Sequence, residues 1–159
     1  MGSILELAKL KVMKPLEENR AFRAISETIA TAGQPNEDQF ESIRKAGFEA
    51  IINLALPTSD NAISNEGSIV TSLGMAYFHI PVDFQAPQAQ DFNTFCQLMQ
   101  SYANRKIFVH CAANMRVSAF ILLYRVNFLG VALSEAQIDL HAIWQPNEVW
   151  SQFISDNIR

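Results

Sequence analysis

The sequence of 159 residues has little charge, no excess of basic residues and no long apolar run, and each shortage excludes a class of protein. Charged residues make up 18% of the chain and the formal net charge is -4, so the basic face of a general nucleic-acid binder is missing. The most apolar stretch, residues 117–129, is interrupted by Arg125 and Asn127 and is too short to cross a bilayer. We therefore expect a protein that binds neither nucleic acid nor membrane.

Cysteine is also scarce. Cys96 and Cys111 are too few for a disulfide framework, and their spacing is not that of a zinc site. No group of His, Asp and Glu has metal-ligand spacing either, so we expect a reaction without metal or cofactor. Charged residues between positions 6 and 14 leave no apolar core for a signal peptide. These features together predict a cytoplasmic protein; they say nothing about its oligomeric state.

The hydrophobic fraction of 49% is enough to form the core of one globular domain. Residues 1–20 are predicted to form an N-terminal helical extension, with an amphipathic helix over 4–14, and residues 21–159 the domain itself. Strands are predicted over 22–26, 28–32, 49–54, 76–80 and 106–110, and helices over 36–46, 61–73, 91–102, 117–129, 134–143 and from Pro146 onward. Ser134 and Gln137 are predicted to form a capping box. This alternation predicts an α/β fold, with a central, mostly parallel sheet flanked by helices and a helical C-terminal half.

The informative segment is residues 108–118, Phe-Val-His-Cys-Ala-Ala-Asn-Met-Arg-Val-Ser. A buried strand delivers Cys111 to a tight turn that opens into a helix, where free backbone amides and the helix dipole favour an oxyanion and a thiolate. Arg116 offers a planar fork for two phosphate oxygens. Ser118 is predicted to donate a hydrogen bond to the Cys111 sulfur, and His110 to orient the loop. The predicted phosphate-binding residues are Ala112, Ala113, Asn114, Met115 and Arg116, with Asn114 in a left-handed conformation.

This segment resembles the signature loop of protein-tyrosine and dual-specificity phosphatases, in which His-Cys is followed by Arg and then Ser or Thr. Residues 118–124, Gly130 and residues 133–136 are similar to the helix that follows this loop and to the start of the next one. Upstream, Ala-Gly-Gln-Pro-Asn at 32–36 with Gly47-Phe48 and residues 51–54 resembles the bacterial beta-lactamase-hydrolase-like phosphatase domain. The resemblance implies hydrolysis of a phosphomonoester through a thiophosphoryl cysteine. The substrate would be a phosphoprotein or a phosphorylated small molecule.

The loop departs from the usual phosphatase pattern in its length. Four residues separate Cys111 from Arg116, where the family usually has five, so an alignment without a gap places Val117 at the usual arginine position. Asn114 stands where the family usually has Gly. The shorter spacing is also that of rhodanese sulfurtransferases, so a sulfurtransferase that carries a persulfide on Cys111 is an alternative. Rhodaneses commonly have Arg or Lys directly after the cysteine, and Ala112 does not fit that pattern. A catalytically inactive phosphate-binding module is the other alternative.

Cysteine phosphatases also need a general acid, usually an Asp on a mobile loop before the signature strand. Asp83 follows a predicted strand end and is the first candidate, with Asp91, whose position suits a helix N-cap, as the second. Cys96 is interpreted as a core residue and His79 and His141 as structural. Trp144, Trp150 and Phe153 are interpreted as packing residues of the last helices.

Overall fold

The computed structural model describes residues 3–4 and 15–159. Its strands are β1 (Arg23–Ala24), β2 (Ile29–Ala32), β3 (Ala50–Asn53), β4 (Ala76–His79) and β5 (Ile107–His110). Its helices are α1 (Glu37–Lys45), α2 (Glu66–Ser72), α3 (Ala89–Ser101), α4 (Met115–Leu129), α5 (Leu133–Ile143) and α6 (Glu148–Asn157). The predicted α/β fold with a helical C-terminal half is confirmed. The predicted helix over 4–14 lies, beyond its first residue, outside the described residues.

The strands form one sheet in the order β1-β2-β5-β3-β4, in which only β1 is antiparallel to its neighbour. Strands β2, β3 and β5 are buried along their whole length, which explains their continuous apolar sequences. His110 at the end of β5 is in register with Ala32 of β2 and Asn53 of β3. The loop after β5 therefore leaves from the middle of the sheet, at its carboxyl edge.

Helix α4 follows this loop directly and passes through the core. Every residue from Arg116 to Arg125 is buried, so the helix is covered on all sides instead of showing one apolar face. Phe120 packs against Phe92 and Phe95 of α3 and against Trp150 and Phe153 of α6. On the other face of the sheet, a second core cluster includes Phe40 and Ile43 of α1. The start of α4 is consequently anchored from several directions.

Helices α3 and α4 each begin two residues earlier than predicted, and two other helix starts differ in a way that has a clear local reason. The helix expected over 61–73 begins only at Glu66, because Asn61 lies in a turn and its side chain donates to the carbonyl of Ala112, 3.2 Å away. The predicted capping box at Ser134 is wrong: α5 begins one residue earlier, with Ala132 as its N-cap, so Ser134 lies inside the first turn. Asn36, by contrast, caps α1 in a full capping box with Gln39. Within the part of the chain that the structure describes, no helix is long and apolar enough to span a membrane.

Candidate active site

Cys111 is the first residue after β5, and the turn that follows it carries the chain into α4. Its thiol lies at the base of the loop, with only 1% of the residue exposed. Asn114 has φ of 66°, which confirms the predicted left-handed conformation. The side chain of Asn114 holds this conformation from behind the loop, since its Nδ2 donates to the carbonyl of Ala21 at 2.9 Å and to the hydroxyl of Thr31 at 3.0 Å.

The loop amides are free to bind an anion. Among residues 3–4 and 15–159, no hydrogen bond engages the backbone N–H groups of Ala112, Ala113, Met115, Arg116 and Val117. The last three belong to the first turn of α4, where no intrahelical acceptor exists. Such a cluster of donors at the positive end of a helix favours a tetrahedral oxyanion.

Arg116 is fixed beside the loop but keeps hydrogen-bonding capacity. Its Nη1 donates to the carbonyl of Val82 at 3.0 Å, and its guanidinium carbon lies 5.9 Å from the centre of the Phe84 ring. The residue is only 8% exposed, and its buried Nε has no partner in the described chain. Val117, at the usual arginine position, is fully buried and apolar. Arg116 is therefore the arginine of this loop that is available to an anion.

Ser118 does not make the predicted bond to the Cys111 sulfur. Its hydroxyl donates to the carbonyl of Met115 at 2.7 Å and accepts the indole N–H of Trp144 at 2.9 Å. The physical reason is that a serine inside a helix readily donates back to a carbonyl of the preceding turn. The single hydroxyl proton is thus already used, and Ser118 links the signature helix to the residue at the end of α5.

His110 contacts a carboxylate that the sequence did not reveal. Its Nε2 lies 2.7 Å from Oε2 of Glu66, and its Nδ1 lies 3.2 Å from the carbonyl oxygen of Cys111. Both His110 and Glu66 are buried. Burial alone would raise the pKa of Glu66, but the hydrogen bond and charge of His110, with hydrogen bonds from Gln34 and Tyr77, lower that pKa below its usual value. His110 thus contacts both the Glu66 carboxylate and the Cys111 carbonyl, and its orienting role stays a prediction.

The Gly-Gln-Pro segment fixes the back of the loop. A Cβ atom on Gly33 would lie 2.7 Å from the carbonyl oxygen of Ala112, so the two backbones can approach only because Gly33 has none. The backbone N–H of Gln34 donates to the same Ala112 oxygen at 3.2 Å. The side-chain Nε2 of Gln34 lies 2.5 Å from Oε1 of Glu66. This segment therefore ties β2 to both the loop and the buried carboxylate.

Asp83 lies on an exposed loop that is held on both sides. Its carboxylate accepts the amide of Gln85 at 2.9 Å. The carbonyl of the preceding residue, Val82, accepts a hydrogen bond from Arg116. The carbonyl of the following residue, Phe84, accepts the indole N–H of Trp150 at 2.8 Å. The loop that was expected to be mobile is therefore anchored to both α4 and α6 in this structure.

Asp91 does not cap α3, because Gln88 is the N-cap and Asp91 lies in the first turn. Burial raises the pKa of Asp91 above its usual value. Cys96 is a core residue, as predicted, and burial raises the pKa of its thiol to about 12 even though the charge of Arg159 lowers it. Trp144 and Trp150 do more than pack, because both also donate hydrogen bonds to the candidate site. The indole N–H of Trp144 donates to the Ser118 hydroxyl, and that of Trp150 donates to the Phe84 carbonyl.

The comparisons with known proteins agree with this geometry. The model of the family described as "DSP-PTPase phosphatase fused to NAD+ Kinase" matches residues 5–147. A crystal structure from Shewanella putrefaciens CN-32, named as a candidate phosphatase (DUF442), is 30% identical and superposes with a TM-score of 0.81, covering 91% of this chain and 95% of that one. A Neisseria meningitidis candidate phosphatase shares the fold, with a TM-score of 0.70 at 19% identity over 87% of this chain and 99% of that one.

Among curated proteins, the beta-lactamase hydrolase-like protein of Xylella fastidiosa strain Temecula1 is 28% identical over 106 residues, which is 65% of this chain. The chain spans about a quarter of that relative's length, 24%. The fold and the loop define a protein of the tyrosine and dual-specificity phosphatase class. Within that class, the chain belongs to the family of DSP-PTPase phosphatase domains fused to NAD+ kinase.

Proposed function

We propose that this chain is a phosphomonoester hydrolase in which Cys111 is the nucleophile. The observation that carries the proposal is the loop itself. The free amides of residues 112, 113 and 115–117 and the buried, unpartnered Nε of Arg116 adjoin a cysteine at the start of α4. An oxyanion bound there would satisfy donors that otherwise have no acceptor, and the same positive potential favours the thiolate.

In the first step, the Cys111 thiolate attacks phosphorus and forms an S–P bond while the P–O bond to the leaving group breaks. The leaving oxygen takes a proton from Asp83, which becomes a carboxylate. The loop amides and Arg116 hold the equatorial oxygens of the phosphoryl group, which carry the negative charge of the transition state. The hydrogen bond from Arg116 to the Val82 carbonyl supports this assignment, because it ties the loop of the acid to the arginine.

In the second step, water attacks the phosphorus of the thiophosphoryl enzyme. Asp83 accepts a proton from this water, the S–P bond breaks with its electron pair returning to sulfur, and inorganic phosphate leaves. Thiolate and protonated Asp83 are thereby restored. The substrate is a phosphoprotein or a phosphorylated small molecule, since both present the same phosphoryl group to the loop.

Hydrolysis of p-nitrophenyl phosphate without added metal tests this proposal. The wild-type protein is expected to turn over, and Cys111→Ser to abolish turnover. The matched control is Cys96→Ser, which removes the other buried thiol, that of α3, and should retain activity if the protein stays folded. Undiminished turnover by Cys111→Ser would remove this residue from the mechanism.

A phosphate-binding module without turnover is the second candidate. It is favoured by the low exposure of Cys111, at 1%, and by the engagement of Arg116 with a backbone carbonyl. Calorimetric binding of inorganic phosphate that is lost in Arg116→Met, in a protein that hydrolyses no aryl phosphate, would support this function. Thiocyanate formation from thiosulfate and cyanide would instead support the sulfurtransferase alternative.

A further inference from the structure

A cavity that the proposed reaction does not use lies at the carboxyl edge of the sheet. Asn53 and His79, the last residues of β3 and β4, are in register with each other, and both line this cavity. On its other side, Asn53 is in register with His110, the last residue of β5. In open α/β sheets, ligands bind in crevices outside the carboxyl ends of the strands. The cavity therefore lies where this kind of fold binds ligands, one strand away from the loop of Cys111.

The size and apolar lining of the cavity suit one flat ring. Its volume is about 170 Å³, slightly more than the cavity of about 150 Å³ that binds benzene in an engineered protein. The apolar lining comes from the segment between β3 and α2, with the residues Leu56, Pro57, Ala62 and Ile63. Burial of a planar ring against these side chains would remove apolar surface from water.

The charge in the lining argues against an ionic ligand. Glu66 lines the cavity, but its two carboxylate oxygens already contact His110 and Gln34, and Tyr77 adds a further hydrogen bond. A carboxylate that accepts several hydrogen bonds is favoured in its charged form and repels an anion. Within residues 3–4 and 15–159, no group of three or more His, Cys, Asp and Glu side chains could hold a metal ion. An uncharged ligand is therefore favoured.

Two polar groups of the lining have no protein partner in the described chain, the hydroxyl of Ser64 and Nδ1 of His79. Nε2 of His79 lies 2.6 Å from the carbonyl oxygen of Ala55, which only accepts, so Nε2 carries the hydrogen. In the uncharged ring, Nδ1 is then an acceptor, while the Ser64 hydroxyl can donate or accept. A ligand that carries an N–H donor beside an acceptor would match both groups.

We propose that this cavity binds an uncharged, single-ring heteroaromatic group with an N–H donor beside an acceptor, as in a pyrimidine base. The ring packs against segment 56–63, and its polar edge bonds with Ser64 and His79. The site adjoins the anion loop, because Asn61 of the same segment donates to the carbonyl of Ala112 at 3.2 Å. The same ring chemistry has two sources, a free ligand or the base of a substrate whose phosphate occupies the loop.

Titration of nitrogen-15-labelled wild-type protein with cytosine, followed by NMR, provides the first test. We expect saturable shifts of the backbone amides that surround the cavity, in segment 56–67 and in β4. Benzoate, which has one ring of similar size but a negative charge, should not produce them. The absence of saturable shifts at these residues, or equal binding of benzoate, would overturn the proposal.

Three variants place the cytosine site. Ala62→Leu fills the cavity and should reduce the affinity at least about tenfold, because the ring and the added methyl groups compete for the same space. His79→Leu removes the acceptor from an exposed position and should reduce it about fivefold. Ala103→Leu, in an exposed turn after α3, is the matched control and should leave the affinity unchanged.

The amide spectra report whether each variant is folded. An unchanged affinity in folded Ala62→Leu would locate the ligand elsewhere and overturn the proposal. If Ala62→Leu does not fold, an unchanged affinity in His79→Leu does the same.

Binding of cytidine monophosphate to Cys111→Ser distinguishes the two sources of the ring. If the ring belongs to the substrate, the nucleotide should bind more tightly than either cytosine or inorganic phosphate, and Arg116→Met should remove that gain. If the ring belongs to a separate ligand, the nucleotide should bind no more tightly than cytosine. Either result supports the cavity as a binding site. None of these measurements depends on turnover, so a protein that hydrolyses no phosphate would contradict only the proposed function.

Discussion

Nη1 of Arg116 donates a 3.0 Å hydrogen bond to the carbonyl oxygen of Val82, the residue immediately before Asp83. One side chain thus adjoins two parts of the proposed mechanism, the anion loop on α4 and the loop of the acid. Because Arg116 is nearly buried, this contact is shielded from water and keeps more of its strength than an exposed one. This hydrogen bond connects the loop that carries Asp83 directly to the start of α4.

Asp83→Asn should slow the hydrolysis of substrates with poor leaving groups by roughly 10²–10⁴-fold, because the leaving oxygen then receives no proton. Activated aryl phosphates should be affected much less. Steady-state rates for a series of phosphate esters that differ in leaving group measure this, and the basic limb of the pH–rate profile should flatten in the variant.

Asp91→Asn is the matched control for that series. Asp91 lies in the first turn of α3, so its loss should cost about 1 kcal/mol of stability or less, with little change in rate. If Asp91→Asn instead reproduced the leaving-group dependence and Asp83→Asn did not, the acid would be Asp91.

Trp150→Phe should reduce turnover of poor leaving groups more than that of p-nitrophenyl phosphate. The substitution keeps an aromatic ring in the core but removes the N–H that holds the Phe84 carbonyl, at a cost of about 1 kcal/mol. Trp144→Phe, which loses the N–H bond to Ser118, should not show the same leaving-group dependence. Equal effects of both substitutions on both kinds of substrate would indicate a general loss of packing only.

Gly33→Ala should lower both stability and turnover, because the added Cβ would lie 2.7 Å from the carbonyl oxygen of Ala112 and 3.1 Å from that of Arg20. Backbone atoms on both sides must move, with an expected loss of about 1–3 kcal/mol in urea unfolding. Gly130→Ala is the control. It strains a residue with φ of 69° and nothing within 4 Å, so it should reduce stability without a comparable loss of turnover per folded molecule. Full activity in Gly33→Ala would show that the loop tolerates the displacement.

Acid should weaken the fold through Glu66. The pKa of this carboxyl is lower in the folded protein than its ordinary value of 4.5, so the unfolded chain binds more protons near that pH. The stabilisation is therefore present above about pH 4.5 and lost as the pH falls through the folded value. The difference in unfolding free energy between wild type and Glu66→Gln should shrink as the pH is lowered from 7 to below 4. A difference that grows on acidification would have the wrong sign.

Local patterns predicted much of the architecture. The apolar run before Cys111, the turn at Asn114 and the apolar helix after it are contiguous, so the sequence alone places Cys111 between β5 and α4. The α/β class followed from the alternation of elements. The positions of Arg116 and Asn114 followed from the same short segment.

The parts that could not be predicted involve partners far apart in the chain. Glu66 binds His110 across 44 positions, and Trp150 binds the Phe84 carbonyl across 66. Neither contact leaves a periodic or spacing signal, since each depends on how the sheet and the last helix pack. The hydrogen bond of Ser118 was mispredicted for a related reason, because the Met115 carbonyl and the Trp144 indole N–H are both brought to it by helix geometry.

Transfer of the phosphoryl group to the sulfur of Cys111 is the step on which the proposed mechanism depends. Rapid chemical quench of the wild-type protein during turnover of p-nitrophenyl phosphate tests it most directly. Mass spectrometry of the digested protein should find one phosphoryl group on the peptide that contains Cys111, and none in Cys111→Ser. Formation of this phosphorylated peptide should coincide with a rapid first burst of p-nitrophenol release. Turnover without a burst, with an unmodified Cys111 peptide and an active Cys111→Ser variant, would contradict the account.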